Sequence, residues 1–415
     1  MTRHAPTLAA FGLALALDVT GLYAAPALHH DARVEQRADR QTADFNAWLE
    51  IDTQAFEDNI ATLKQQIGKD GPRICAVMKA DAYGNGIDLL IPSIIKTQIP
   101  CIGIGSNEEA RTARAHGYKG AIVRIRAATL DEIREGRRYD IEELLGDLSQ
   151  AQAISQMVGT KGKPLRFHLA LNSAGMDRNG IDMTTEQGCQ EAIRITQLPG
   201  LKPVGIMTHF PDENIKTVRR NLAQFKRDVS WLIDKTGLPR EQIIVHAANS
   251  FATLAVPESR LDMIRPGGLL YGDTIPEHTE YKKIMTFKSA VASINHYPKG
   301  STVGYDRTFT LKRDSQLANL PLGYSDGYRR VFTNKGFVLI HGHRVPVVGK
   351  VSMNTTMVDV TDFPDIQEGD EVVLFGKQGN SEITQAEIEA INGALLADLY
   401  TVWGNSNPKI KKPRP

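Results

Sequence analysis

The chain has 415 residues, with 49 Lys and Arg against 48 Asp and Glu and a formal net charge of +1. Charges so balanced and scattered exclude a basic nucleic-acid-binding face, and 41% hydrophobic residues over this length can fill more than one core. Three cysteines, with no CxxC and no Cys/His pair at ligand spacing, exclude the common zinc modules.

At the N-terminus Arg3 and His4 precede the apolar run Leu8 to Leu17 and small residues ending in Ala25-Pro26-Ala27, the three regions of a secretory signal. Residues 1–27 are therefore expected to be removed and the mature protein to work in the periplasm. Asp18 cuts the apolar run too short for a membrane span, so no anchor is expected after cleavage. Residues 28–52 read as a polar arm followed by a short strand at Trp48 to Ile51. Thr53 is placed to cap a helix running through Phe56, Ile60, Leu63 and Ile67.

From there apolar runs alternate with periodic helices: Ile74 to Met78, Cys101 to Gly105, Ala121 to Ile125, Glu143 to Gly146, Leu165 to Leu171, Pro203 to Met207, Ile243 to His246, and Met263 to Ile264. Eight such units imply an α/β fold, a (β/α)8 barrel over residues 53–285. Chemistry in such barrels comes from the carboxyl ends of strands. Here those ends carry Lys79, Arg124 and Arg126, Asn172, His209, Asn249 and Ser250, and Arg265. Cys75 and Cys101 begin two successive strands, close enough for a disulfide in an exported protein, whereas Cys189 lies on a helix and reads as an unpaired packing residue.

Beyond about Thr286 the alternation stops. Val303 to Thr310, Gln316 to Pro321, Gly336 to Ile340, Arg344 to Val351, Thr355 to Val360 and Glu371 to Phe375 read as strands separated by turn residues, with one late helix at Gln385 to Ile391. Residues 286–415 thus form a mostly β domain, ending in a basic stretch, Lys409 to Arg414, that reads as a frayed terminus.

The stretch AVMKADAYGNG, residues 76–86, delivers Lys79 from a buried strand into a glycine-rich turn. Partial burial or a neighbouring cation lowers a lysine pKa enough for imine formation with an aldehyde cofactor. A lysine snorkelling from a strand end is the plainer reading of those eleven residues alone.

Taken with GMDRNG around Arg178, MTHF with His209, HAANS ending in Ser250, IRPGGLLYG around Arg265, VGYDRTF around Tyr305, LPLGYSDGYRR, and GKVSMNTTMVD around Met353, the chain resembles the alanine racemase family of pyridoxal phosphate enzymes, and within it the exported broad-spectrum racemases. The resemblance implies a fold-type III barrel with a C-terminal β domain, and a homodimer whose subunits share active sites acting on free amino acids. Lys79 would hold pyridoxal 5′-phosphate. Tyr83, Ser250, Gly267, Gly268 and Tyr400 would surround its phosphate, with Asn249 also at the cofactor, His209 beside the ring and Arg265 facing the ring nitrogen. Lys79 would serve one face of the substrate Cα, and Tyr305 of a second subunit the other. Arg178, Asn172, Met353 and Tyr305 would meet the substrate.

Many alanine-specific relatives carry a lysine that becomes carbamylated where this chain reads Leu169-Ala170-Leu171-Asn172-Ser173. Asn172, or an anion near Arg124 and Arg126, would orient Arg178 instead. Such departures point to a broad substrate range that includes lysine, arginine, alanine and methionine. Other readings are an alanine-specific racemase, a fold-type III decarboxylase, a metal hydrolase using His168, His209 and His246, and a non-catalytic ligand-binding protein.

Overall fold

Strand β1 (Ala47–Ile51) leads into the helix Thr53–Ile67, whose cap is Asp52 rather than Thr53: the Asp52 carboxylate accepts from the Ala55 amide at 2.8 Å. Eight strands then close in sequence order into a parallel barrel: β2 (Arg73–Val77), β3 (Cys101–Ile104), β4 (Ala121–Arg124), β5 (Ile141–Leu145), β6 (Leu165–Ala170), β7 (Leu201–Met207), β8 (Ile244–His246) and β9 (Met263–Ile264). This is a computed structural model, and it describes residue 42, residues 44–273 and residues 278–413; the expected signal segment and most of the polar arm lie outside the described residues. No helix among the described residues is long and apolar enough to cross a membrane.

Side-chain alternation decides what fills the barrel. Cys75, Cys101, Val123 and Met263 form one buried cluster, and since β4 and β9 are not neighbours that cluster spans the interior. Cys75 lies directly opposite Cys101 in the β2–β3 register, with Cα atoms 4.3 Å apart, and the two are joined by a disulfide. Leu144, Ala170 and Met207 cluster nearer the carboxyl ends of their strands. The same alternation corrects one expectation. Arg124 follows the inward Val123 and turns outward, fully buried, to pair with Glu143 at 2.7 Å and donate to Asn107 at 2.6 Å. It takes no part in the cavity at the barrel mouth.

The second half contains β10 (Met285–Ala290), β11 (Ser293–Tyr297), β12 (Thr302–Val303), β13 (Phe309–Thr310), β14 (Ser315–Leu320), β15 (Phe337–Ile340), β16 (His343–Pro346), β17 (Thr356–Asp359), β18 (Glu371–Gln378), β19 (Ser381–Ile383) and β20 (Lys409–Lys411). One sheet runs β16-β15-β18-β10-β1-β20, with β19 on β18, and a smaller one runs β11-β14-β17. The N-terminal strand therefore belongs to the C-terminal sheet, antiparallel to β10 and parallel to β20. The basic tail is not frayed at Lys409 to Lys411, because main-chain pairing with Leu49 to Ile51 makes it a strand. Nor is Val303 to Thr310 one strand: Gly304, Asp306 and Arg307 take positive φ values of 72°, 59° and 51°, which breaks it into the β12–β13 hairpin with Tyr305 on the turn.

Candidate active site

Lys79 opens a five-residue turn, Lys79–Tyr83, in which Ala80, Asp81, Ala82 and Tyr83 have φ of 53°, 54°, 53° and 58°. Left-handed backbone costs a non-glycine residue roughly 1–2 kcal/mol, so this turn must be held from outside. Glu109 holds it on one side. Its Oε1 accepts from the Asp81 amide at 3.0 Å, and its Oε2 accepts from the amides of Gly105 and Ser106 at 2.7 and 3.0 Å. Tyr83 stacks on Tyr271 with centroids 4.7 Å apart, and Gly84 must lack a side chain because a Cβ there would run into the Tyr400 carbonyl. Burial, then the charges of Arg178 and Arg265, lower the pKa of the Lys79 amine, and Glu109 opposes them.

Above this turn lies a cavity of about 1280 Å³. Lys79, Tyr83, Asn172, Arg178, His209, Asn249, Ser250, Arg265, Gly267, Gly268 and Tyr400 all line it, as the sequence reading expects. At one end, Ser250 Oγ accepts from the amides of Gly267 and Leu269 at 3.0 and 3.3 Å, and Asn249 caps the helix Ser250–Ala255 by accepting from the Ala252 amide at 2.9 Å. A Cβ on Gly267 would run into the Tyr83 hydroxyl, so backbone amides and hydroxyl groups meet there without an intervening side chain. That is the donor set a phosphate needs. The Tyr400 hydroxyl donates to Asp273 Oδ2 at 3.0 Å; burial first, then Asp273, raises the pKa of this phenol, so it stays protonated.

Arg265 forms the opposite wall. Its Nη2 donates to the carbonyls of Thr208 and Ala247 at 2.7 and 2.9 Å, its Nε donates to His246 Nδ1 at 2.9 Å, and its Nη1 lies 3.4 Å from His209 Nδ1. Burial, then Arg178, pulls its pKa down to about 10, and the guanidinium remains a cation near neutrality. His209 is pushed down to about 3 by burial and then by Arg265, Arg178 and Lys79, so its ring is neutral.

Behind Arg265 runs a buried chain that the sequence reading missed. His246 is held neutral by complete burial and then by His168 and Arg265. Because its Nδ1 accepts from Arg265, its proton sits on Nε2 and is donated to His168 Nδ1 at 2.8 Å, while His168 Nε2 donates to Glu142 at 2.8 Å. Gly205 on β7 is small because the His168 ring occupies the place of its Cβ. Both imidazoles are thus spent on this chain, and among the described residues no group of three His, Cys, Asp or Glu side chains is placed to hold a metal ion.

On the substrate side, Asn172 binds the loop rather than Arg178 itself. Its Oδ1 accepts from the amides of Met176 and Asp177 at 3.1 Å each, and its Nδ2 donates to Asp177 Oδ1 at 2.6 Å. Arg178 follows directly in the chain. Arg126 also lines the cavity, paired with Glu132. Tyr305 and Met353 do not line the cavity of their own chain; they are 67% and 55% exposed on the C-terminal half.

Residues 51–275 match the family described as alanine racemase, N-terminal domain, and residues 284–411 match alanine racemase, C-terminal domain. The chain belongs to the alanine racemase family. It is an amino-acid racemase, and its cofactor is pyridoxal phosphate. A broad specificity amino-acid racemase of Pseudomonas taetrolens is 60% identical over 407 residues, 98% of each chain, and one of Aeromonas hydrophila is 61% identical over 369 residues, 89% of this chain and 90% of the relative. The crystal structure of alanine racemase from Bartonella henselae with covalently bound pyridoxal phosphate superposes with a TM-score of 0.76 at 26% identity, covering 88% of this chain and 99% of that one. The residues present fit the cofactor. The Lys79 amine with its lowered pKa, the cradle at Gly267 and the cationic Arg265 border one cavity, as an aldehyde, a phosphate and a ring nitrogen require.

Proposed function

We propose that this racemase acts on free amino acids of several side-chain classes with two bases, Lys79 of one subunit and Tyr305 of a second copy, within a homodimer. The observation that carries this reading is the separation of the two residues: Lys79 lines the cation-rich cavity at the barrel mouth, whereas Tyr305 lies outside that cavity on an exposed hairpin turn of the same chain. Racemisation needs a proton removed from one face of Cα and returned to the other, so a group able to carry that proton is needed on each face. Periplasmic location after removal of residues 1–27, and a division between residues 53–285 and 286–415, belong to the same proposal.

Bound pyridoxal phosphate supplies an electron-withdrawing ring that acidifies the substrate Cα–H. Lys79 would hold it covalently, and Tyr83, Ser250, Gly267, Gly268 and Tyr400 would surround its phosphate. Arg265, a cation that does not readily give up a proton, would face the ring nitrogen, and neutral His209 would lie beside the ring. Arg178 takes the substrate carboxylate. Lys79, favoured as the free amine by burial and two arginines, takes or gives the proton on its face. Tyr305 does so on the other face, and Met353 closes the site beside it.

Breadth rests on Ala170, which lies against Leu144 and Met207 where many alanine-specific relatives have a lysine, and on the likeness to broad specificity amino-acid racemases. An apolar pocket discriminates by only about 1–3 kcal/mol per methylene. Lysine, arginine and methionine should therefore be turned over with kcat/KM within roughly a hundredfold of alanine, or about 2.7 kcal/mol. Turnover of alanine and serine alone would refute the breadth and leave the racemase intact. For the shared site, mixing inactive Lys79→Ala and Tyr305→Phe subunits should restore activity, since one site of each heterodimer then carries both bases. No recovery in verified heterodimers would place both bases in one subunit.

A further inference from the structure

The left-handed turn that presents Lys79 is held by Glu109 on its barrel side and by the end of the chain on the other. Lys409 Nζ, on β20, lies 2.8 Å from Asp81 Oδ2 and donates to the Gly404 carbonyl at 2.7 Å. The other carboxylate oxygen, Asp81 Oδ1, accepts from the Ile87 amide at 2.8 Å, so Asp81 ties the turn to the next helix and to the C-terminal strand together. The stem of Lys409 packs close over Gly86, where its Cδ and Cε lie 3.3 Å from the position a Cβ would take. Gly404, in the helix Ala397–Ser406, sits directly on the backbone of Gly84. Lys409 and Asp81 are 328 residues apart in sequence and only partly exposed, at 20% and 34%. The strained turn thus has two anchors, and one of them is β20, far away in sequence.

We propose that Asp81 and Lys409 are positioning residues for Lys79: their ion pair fixes the left-handed turn, and with it the direction from which the Lys79 amine reaches the cavity. The proposal rests on the assignment of Lys79 as the cofactor lysine and base. A purely structural tie would add stability without touching turnover, since neither residue lines the cavity. A positioning tie must act on the chemical step more than on substrate capture, because a base displaced by a fraction of an ångström still leaves the carboxylate site at Arg178 intact.

The test uses the full-length holoenzyme with Asp81→Asn, Lys409→Met, Lys409→Arg and the double Asp81→Asn/Lys409→Met. Asparagine keeps the acceptor for Ile87, methionine keeps the stem over Gly86, and arginine keeps the charge. Expected are a kcat lowered between about 10- and 100-fold for both enantiomers in each neutralised variant, KM changed less than about threefold, a double variant no worse than the worse single, and substantial recovery in Lys409→Arg. In the cofactor-free protein, amide hydrogen exchange over residues 80–86 should quicken by about tenfold or more in Lys409→Met, with the other barrel strands unchanged. Neutralised variants that lose melting temperature but keep kcat, or exchange over 80–86 that does not move, would overturn the proposal while leaving the role of Lys79 standing. The role of Lys79 itself is read separately, by borohydride fixation of the cofactor to Lys79 in the unmutated protein; fixation elsewhere would overturn both.

Discussion

The two sides of the reaction are prepared in opposite ways. Lys79 is surrounded before substrate arrives: its turn is stitched by Glu109, its amine is made less basic by burial and two arginines, and its neighbours Arg265 and His209 are locked in a buried network. Tyr305 stands 67% exposed on a turn between two short strands, and its hairpin neighbour Asp306 pairs with Lys350, 44 residues further along the chain. On the proposed two-base reading, the residue that carries the cofactor needs a rigid wall, whereas one that completes a second copy's site must stay reachable from outside. One chain would then carry a finished half-site and an offered half-site.

The contrast predicts that damage on the two sides will differ in kind. Lys79→Ala should abolish racemisation from either enantiomer, by more than about 10⁴-fold, and leave the protein colourless, because base and tether go together. Tyr305→Phe should also cost about 10²- to 10⁴-fold, yet keep the cofactor and its yellow absorbance. Loss of cofactor from both variants, or from neither, would erase the distinction.

A second test concerns the wall behind Lys79. The Cys75–Cys101 bridge closes a 26-residue separation inside the barrel, both residues nearly inaccessible. Replacing both with serine should lower the unfolding free energy by roughly 2–4 kcal/mol in denaturant titration. Alkylation under denaturing conditions should label two fewer thiols before reduction than after it, and three labelled thiols in denatured, non-reduced material would contradict the bridge.

The last test is of pH. His209 and His246 both have folded pKa values depressed below the ordinary 6.5, His209 to about 3. Between those values the unfolded chain binds more protons than the folded one, so stability rises with pH there and is lost as pH falls from 6.5 toward 3. Each group contributes a slope of up to about 1.4 kcal/mol per pH unit. Chemical unfolding of cofactor-free protein at pH 6.5, 5.5 and 4.5 should show the decline, and His209→Asn should flatten it. Equal slopes for the two proteins would mean that His209 is not held neutral by its surroundings.

Much of the barrel was legible because apolar runs and helical periods are local signals, and Cys75 and Cys101 fell opposite one another because parallel neighbours share register. Legibility ended where the answer depended on side-chain parity or on distant strands. Arg124 is polar at a strand end, as the rim rule asks, but it follows an inward Val123 and so faces the helices. His168 and His246 drew attention as possible ligands, while their true partners, Glu142 and Arg265, lie 26 and 19 residues away in sequence. Glu109 had a local signature, Ser106 followed three residues later by glutamate, and its capping box is present. Lys409 had none, since nothing near a basic tail announces a carboxylate 328 residues upstream.

That last pairing bears on how the molecule comes into being. Leu49 to Ile51 pair in parallel with Lys409 to Lys411, so the sheet that carries β1 stays open at one side until β20 has folded back onto it. Contacts this remote in sequence form slowly, after local helices and neighbouring strands. A folding chain can thus assemble most of its barrel from local pairings while Asp81 waits for its cation, and the turn that carries Lys79 gains the contact with Lys409 only once β20 has returned to β1. A catalytic turn built near one end of the barrel would in this sense depend on one of the most sequence-distant pairings in the fold.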